Sequence, residues 1–309
     1  MSKIAFLYPG QGAQTAGMGK DFYENSPEAR AFFDQASEML DLDLKALCFE
    51  PNDLLDKTEY TQAAMVTACL AMTREAEKRG LKADVAAGLS LGEYCAIAAA
   101  GGMSDLDAVK TVRARGIYME NAAPKGSGAM AAVLGMEADA IEQTIEGISG
   151  VSIANYNCPG QIVITGEAEA VAKASEALKN AGARRVLPLN VSGPFHSVMM
   201  EPAGEKLQKV LDEVEIHALS IPYVANATAE TVKDAAQVKD LLVKQVSSPV
   251  RWEQSIRTML AEGVDTFVEI GPGKTLSGFM RKIDKNANMY HIGTWEEMNA
   301  VCEELAADK

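Results

Sequence analysis

Gly88-Leu89-Ser90-Leu91-Gly92 sets a serine between two glycines at the spacing G-x-S-x-G. A hydroxyl in that setting can act as a nucleophile, because the pattern marks a sharp strand-to-helix turn that holds the serine strained and exposed. The glycines have a steric reason: a side chain on either side of Ser90 would strike the flanking strand or helix. A helix beginning there aims free N–H groups and its positive dipole end at the serine oxygen. Such a site suits chemistry that passes through an oxyanion. The same five residues also fit a small-residue turn with a capping serine, so other groups must decide.

A serine nucleophile needs a base, and the chain has three histidines, His196, His217 and His291. His196 lies in Ser192-Gly193-Pro194-Phe195-His196-Ser197, a Gly-Pro-bounded loop at an expected domain junction, where pockets form. His217, near a helix end, and His291, behind the strand-like Asn288-Met289-Tyr290, read as structural. No carboxylate stands out as the third member of a Ser-His-Asp triad; a backbone or amide carbonyl could hold the imidazole instead. Arg113 and Arg115 are two residues apart on one expected helix and so point to different faces. At most one of them looks into a pocket beside Ser90.

Gln11, in the polar loop Pro9-Gly10-Gln11-Gly12-Ala13-Gln14 after the first strand, is a candidate amide donor, since α/β sheets place working residues at strand carboxyl ends. Two phosphate-loop look-alikes fail. Gly10-x-Gly12 is followed by Thr15 where a dinucleotide fingerprint needs glycine, and Val268 stands where Gly271-Pro272-Gly273-Lys274-Thr275 would need the first Walker glycine.

The elements that position these groups follow from periodicity and punctuation. Strands are expected at 4–8 and 85–89, with a buried helix at 93–100. Ser26 caps a helix with Pro27 at its first position, and Ala29, Phe32, Phe33, Ala36, Met39 and Leu40 form its core face. Thr61 opens a helix that ends near Arg79-Gly80, and Ser104 caps another that runs to Asn121. Then the pattern changes: strand 129–134, helix 137–145, strand 151–155, a turn Asn157-Cys158-Pro159-Gly160, strand 161–165, helix 167–181, strand 185–189. This βαββαβ order is the ferredoxin-like arrangement. It predicts a compact domain, 124–192, inserted into a larger one formed by 1–123 and 193–309. Beyond it, helices are expected at 199–214, 238–246 and 252–262, and strands at 222–226 and 266–270.

With 309 residues, 48% hydrophobic and 23% charged, the chain reads as an ordinary soluble globular protein. No apolar run approaches the ~18 residues of a membrane span, and the N-terminal run is too short for a signal peptide. Five scattered cysteines without C-x-x-C spacing fit reduced thiols in a cytosol and argue against a disulfide framework or a zinc site. Two glycosylation sequons, at Asn190 and Asn226, are then chance matches. A formal charge of −14 argues against nucleic acid as a partner.

Taken jointly, several segments are more specific than the elbow alone. The loop 9–14, the elbow Gly88 to Tyr94, Arg115-Gly116-Ile117-Tyr118-Met119, Tyr156-Asn157-Cys158-Pro159-Gly160-Gln161, Pro194-Phe195-His196-Ser197, Gln245 to Trp252 and Glu269 to Thr275 occur in one order along the chain. Together they resemble the malonyl-CoA:acyl-carrier-protein transacylase family of bacterial type II fatty acid synthesis, over essentially the whole chain. The resemblance implies a hydrolase-like α/β domain with an inserted ferredoxin-like subdomain. It implies that Ser90 attacks the malonyl thioester, that His196 moves the proton, and that the backbone N–H groups of Gln11 and Leu91 hold the oxyanion. Arg115 would grip the malonyl carboxylate, Gln245 would orient His196 through a carbonyl, and Asn157 would line the pocket. Malonyl-CoA and the phosphopantetheine thiol of an acyl carrier protein would be the substrates, with no metal or redox cofactor, in a cytoplasmic monomer.

One position departs from the family: Leu89 stands where histidine is common, which affects substrate contacts there. Because both carrier and enzyme are acidic, a local basic patch is expected, with Arg184-Arg185 and Arg281-Lys282-Lys285 as candidates. Rival readings are a stand-alone polyketide acyltransferase, which shares every motif, and a serine thioesterase, for which Arg115 has no evident task. A non-catalytic carrier-binding protein would not need both Ser90 and His196.

Overall fold

Short apolar runs, each followed by helices, build a mainly parallel sheet, and the computed structural model describes residues 2–307 of it and its surroundings. Residues 1, 308 and 309, at the ends of the expected larger domain, lie outside the described residues. β1 (Ile4–Tyr8) is buried along its whole length. Helices α1 (Lys20–Asn25), α2 (Pro27–Leu40), α3 (Leu44–Phe49) and α4 (Thr58–Lys78) lead to β2 (Val85–Gly88). The elbow then opens α5 (Gly92–Ala99), and α6 (Asp105–Glu120) follows. Ser26 and Ser104 cap α2 and α6 as expected, accepting from the N–H groups of Ala29 and Asp107.

The next stretch forms a separate sheet from β3 (Gly128–Leu134), β4 (Val151–Cys158), β5 (Gln161–Glu167) and β6 (Arg185–Pro188), with α7 (Ala138–Ile145) and α8 (Ala168–Asn180) between strands. Its strand order is β4-β5-β3-β6, and all its pairings are antiparallel. The chain returns through a short 3-10 turn to α9 (Glu201–Asp212), β7 (Tyr223–Val224), β8 (Thr231–Val232), α10 (Val238–Ser247) and α11 (Trp252–Ala261). It ends with β9 (Thr266–Ile270), α12 (Thr275–Ile283), β10 (Asn288–Ile292) and α13 (Trp295–Ala307).

The larger sheet has the order β10-β9-β1-β2-β7-β8, parallel except for the β7–β8 pair. Apolar clusters pack against both of its faces, as a parallel sheet requires. The register pairs Tyr8 with Gly88, so the Gln11 loop and the Ser90 elbow leave adjacent strands side by side. That placement is what builds the site.

Several boundaries differ from expectation. α4 begins at Thr58 rather than Thr61, and the buried stripe of α2 ends at Ala36, leaving Met39 38% exposed. β4 does not stop at Asn155: irregularities in its pairing with β5 carry it on to Cys158. Asn157 therefore stands on a strand, and only Pro159 and Gly160 make the turn. The expected strand 222–226 shrinks to two residues, because the chain turns back at Asn226 to pair β7 with β8. Among the described residues no helix is long and apolar enough to cross a membrane, and the five cysteines are free and buried.

Candidate active site

Steric necessity shapes the elbow. A Cβ on Gly88 would lie 1.9 Å from the Gly92 carbonyl carbon, and one on Gly92 would lie 2.3 Å from the Tyr8 carbonyl oxygen. Only hydrogen fits at either position. Between them Ser90 takes a φ of 50°, a left-handed conformation that costs a non-glycine residue free energy and persists only when its surroundings impose it. Two amide side chains do so. Ser90 N–H donates to Asn226 Oδ1 at 2.6 Å, and Gln245 Nε2 donates to the Ser90 carbonyl at 2.8 Å. Asn226 Nδ2 also donates to Gly88 O at 2.7 Å, which ties the strand end to the same clamp.

His196 reaches the serine from the return loop, also at positive φ (60°). Its Nε2 lies 2.8 Å from Ser90 Oγ, while Nδ1 faces the backbone carbonyls of Gln245 at 3.0 Å and Ser248 at 3.2 Å. Carbonyls only accept, so Nδ1 carries the proton and Nε2 presents its lone pair to the hydroxyl. Burial, and then the nearby Arg115 charge, lower the imidazole pKa to about 4. The ring is thus neutral near pH 7. Two peptide carbonyls hold it where a triad would use a carboxylate.

Arg115 is 1% exposed. Its Nη1 donates to Gln62 Oε1 at 2.9 Å, and its Nη2 donates to Gln245 Oε1 at 2.9 Å and to Ser90 Oγ at 3.1 Å. The guanidinium lies 5.6 Å from the centre of the Tyr94 ring, and burial pulls its pKa down. Arg113 points away, as the spacing required, pairing with Glu59 at 3.3 Å and lying over the Tyr60 ring.

The remaining expected residues converge on the same place. A cavity of about 340 Å³ is lined by Gln11, Leu89, Ser90, Leu91, Arg115, Asn157 and His196, with Met119, Met130 and Phe195 among its apolar wall. The Gln11 side-chain amide is engaged elsewhere, donating to Thr58 Oγ1 at 3.0 Å. Neither the Gln11 nor the Leu91 backbone N–H has a partner among the described residues. Asn157 is 7% exposed with its Oδ1 unpaired, and Leu89 packs where a Cβ on Gly10 would meet it at 2.7 Å. His217 stands away from the site, 3.6 Å from Glu215, and His291 Nε2 sits 3.0 Å from Gly271 O.

Two residues at the heart of the site were not anticipated: Asn226 and Glu93. Glu93 is fully buried, its carboxyl pushed up to about 7 by burial against the pull of Gln245, Asn226 and Arg115. The only signal for Glu93 was an acid inside the elbow pattern. For Asn226 it was a position at the end of a strand that could neighbour β2. Among the described residues no group of three or more His, Cys, Asp or Glu is placed to hold a metal ion.

The chain matches the acyl transferase domain family over residues 5–297. It is 46% identical to the malonyl CoA-acyl carrier protein transacylase of Bacillus subtilis (strain 168), covering 99% of this chain and 98% of the relative. The chain belongs to the malonyl CoA-acyl carrier protein transacylase family. A solved transacylase of the family, from Clostridium perfringens ATCC 13124, superposes with a TM-score of 0.95 at 42% identity, covering 99% and 98% of the two chains. A malonyl-transacylase solved in complex with a type II PKS acyl-carrier protein gives a TM-score of 0.94 at 36% identity, covering 98% of this chain and 100% of that one. The acyl transferase match runs from β1 into α13 and so encloses every residue of the cavity. Family membership inferred from the motifs is borne out.

Proposed function

We propose that the protein moves the malonyl group of malonyl-CoA to the phosphopantetheine thiol of an acyl carrier protein through a malonyl-serine ester. The observation that carries this reading is a buried guanidinium hydrogen-bonded to the hydroxyl of a serine–histidine pair, Arg115 Nη2 to Ser90 Oγ at 3.1 Å. A carboxylated acyl group has a use for that cation, and a generic ester does not.

In the first half-reaction Ser90 Oγ bonds to the thioester carbonyl carbon and passes its proton to His196 Nε2. The tetrahedral oxyanion is met by the N–H groups of Gln11 and Leu91, each worth roughly 2.7–4 kcal/mol in such a role. The C–S bond then breaks, and His196 returns the proton to the leaving coenzyme A sulfur. The second half-reaction runs the same steps backwards with the carrier thiol as nucleophile. Arg115 holds the malonyl carboxylate by paired N–H donors, Gln245 orients His196 through its backbone carbonyl, and Asn157 lines the pocket. Every step is proton and acyl transfer, so no metal or redox cofactor enters the proposal.

The finer architecture we assign is a hydrolase-like α/β domain, 1–123 with 193–309, and a ferredoxin-like subdomain, 124–192. The β4-β5-β3-β6 order and the two intervening helices support the subdomain. A monomer in the cytoplasm completes the reading. Service to a polyketide rather than a fatty-acid carrier is the second reading, favoured by the likeness to the transacylase solved with a type II PKS carrier. For carrier docking, Lys282 at the end of α12 is well placed, since its Nζ lies 3.3 Å from Gln161, a cavity-lining residue.

Intact-mass analysis tests the function. Malonyl-CoA should add one malonyl group to the wild type and none to Ser90→Ala, and holo carrier should remove it. Rapid hydrolysis without transfer would favour a thioesterase instead.

A further inference from the structure

Glu93 has no task in the acyl-transfer steps, yet it is one of the most deeply buried charged groups in the protein, 0% exposed on an Ala- and Ile-rich helix. Packing alone would favour an apolar residue there, because a carboxylate buried without a direct cationic partner costs free energy. Its Oε2 accepts from Gln245 Nε2 at 2.7 Å and from the Asn226 backbone N–H at 3.2 Å, while Oε1 has no partner among the described residues. Oε2 accepts whether the carboxyl is charged or carries its proton on the unpartnered Oε1, so it dictates which end of the Gln245 amide faces it. The NH₂ end turns to Glu93 and to the Ser90 carbonyl, and the oxygen is left facing Arg115 Nη2 at 2.9 Å. With the amide reversed, its NH₂ would confront the guanidinium, donor against donor, and its oxygen would confront two acceptors.

We infer that Glu93 is a positioning residue for malonyl selection: by fixing the Gln245 amide it aims the Arg115 guanidinium at the acyl carboxylate. The inference rests on the transacylase reading above. It assigns Glu93 no contact with substrate, and it makes the chain Glu93–Gln245–Arg115 the device that separates malonyl from an uncharged acyl group of similar size. Gln245 also keeps the two charges apart, so the guanidinium is not neutralised by a protein carboxylate before substrate arrives.

The test compares Ser90 loading by malonyl-CoA and acetyl-CoA in the wild type and in variants. Glu93→Met removes the acceptor. It is expected to lower malonyl kcat/KM about 10- to 100-fold, chiefly through KM, the loss of one charge-assisted hydrogen bond, while acetyl loading stays within about threefold. Glu93→Gln can keep its carbonyl oxygen at the Oε2 place and is expected to retain the wild-type malonyl-to-acetyl ratio within about threefold. Gln245→Met also releases the Ser90 carbonyl and should slow both substrates, while lowering the malonyl-to-acetyl ratio as far as Glu93→Met. The double variant should show no further loss of preference. Where Glu93→Met does not fold, Glu93→Asp, which withdraws the carboxylate by one methylene, is expected to lower the ratio in the same direction. Malonyl and acetyl loading falling in parallel, or an unchanged ratio in the Met or Asp variant, would overturn the role of Glu93. A wild type that takes up no malonyl group would overturn the transacylase reading and this inference with it, and that outcome is visible before any variant is made.

Discussion

Arg115 and Ser90 are hydrogen-bonded, Nη2 to Oγ at 3.1 Å, so the cation lies at the hydroxyl we propose as the nucleophile. Replacing Arg115 with Met should therefore separate selection from chemistry. Malonyl-CoA kcat/KM is expected to fall by on the order of 100-fold or more, the equivalent of two charge-assisted hydrogen bonds, while acetyl-CoA loading persists or rises. Steady-state rates with the two thioesters check this. An equal fall for both substrates would remove Arg115 from the role assigned to it.

The lowered pKa of His196 has a signed consequence. The neutral, base-competent ring persists down to about pH 4, whereas an unperturbed histidine would be half protonated near 6.5. The rate of serine loading from free enzyme, kcat/KM, is expected to hold as pH falls from 7 to 5 and to drop toward 4. Because the Arg115 charge is one cause of the shift, a bound malonyl carboxylate should raise the ring's pKa. The limb in kcat should then lie at higher pH than the limb in kcat/KM. Pre-steady-state loading across pH would reveal a midpoint near 6.5 if the ring were unperturbed.

Linkage predicts opposed contributions to stability from His196 and Glu93. The folded-state pKa of His196 lies at about 4, below its unfolded value, so its contribution is lost as pH falls from about 6.5 to 4. That of Glu93 is raised to about 7, so its contribution is lost as pH rises from about 4.5 to 7. The groups that face Glu93, namely Arg115, Tyr94, Tyr223, Gln245 and Asn226, are uncharged over that range except for the arginine. Between pH 4.5 and 6.5 the two trends oppose each other. Glu93→Gln should expose the histidine alone, giving a Tm that falls more steeply on acidification than in the wild type. Calorimetry of both proteins from pH 7 to 4.5 decides it, and parallel curves would argue against opposed titrations.

Asn226 holds the Ser90 N–H at 2.6 Å. Asn226→Ala leaves that strained, part-buried peptide without its acceptor and should cost about 1–3 kcal/mol of stability. Slower serine loading should accompany it, since the φ of 50° is no longer imposed from that side. Denaturant titration measures the first effect and a serine-directed phosphonate probe the second.

For the carrier, the combined substitution Arg281→Glu and Lys285→Glu is expected to raise carrier KM several-fold and to weaken the salt dependence of transfer, as for any steering charge near a surface. An unchanged carrier KM would dismiss this end of α12 as a docking surface.

Much of the local structure was legible because it is set by short-range rules. Strands 4–8 and 266–270 were read at their observed bounds, from apolar runs ended by Pro or Gly. Ser26-Pro27 gave the start of α2 by capping chemistry. β4 was cut short because Asn-Cys-Pro-Gly is a turn signal, whereas irregular strand pairing keeps Asn157 and Cys158 in the sheet. In the site, Ser90 and His196 were found from residue type and loop context, whereas spacing left Arg113 and Arg115 open and only the family resemblance chose Arg115. Asn226 and Glu93 were not found, since their work lies in contacts that span more than a hundred residues and leave no pattern along the chain. The amide of Gln245 was missed for the same reason, although its carbonyl was anticipated.

The small sheet is stitched to the rest of the chain by backbone pairing beside His196. Asn155 bridges Val250, with Tyr156 N–H donating to Val250 O at 2.9 Å and Val250 N–H to Ala154 O at 2.7 Å. Ser248, whose carbonyl faces His196 Nδ1, is two residues away on the same strand of backbone. The wall bearing Asn157 and the cradle of the imidazole are therefore one mechanical part. Moving that wall outward to admit a bulkier acyl chain would disturb the carbonyl that faces His196 Nδ1, so side-chain volume at Met119, Met130 and Phe195 is the freer way to make room.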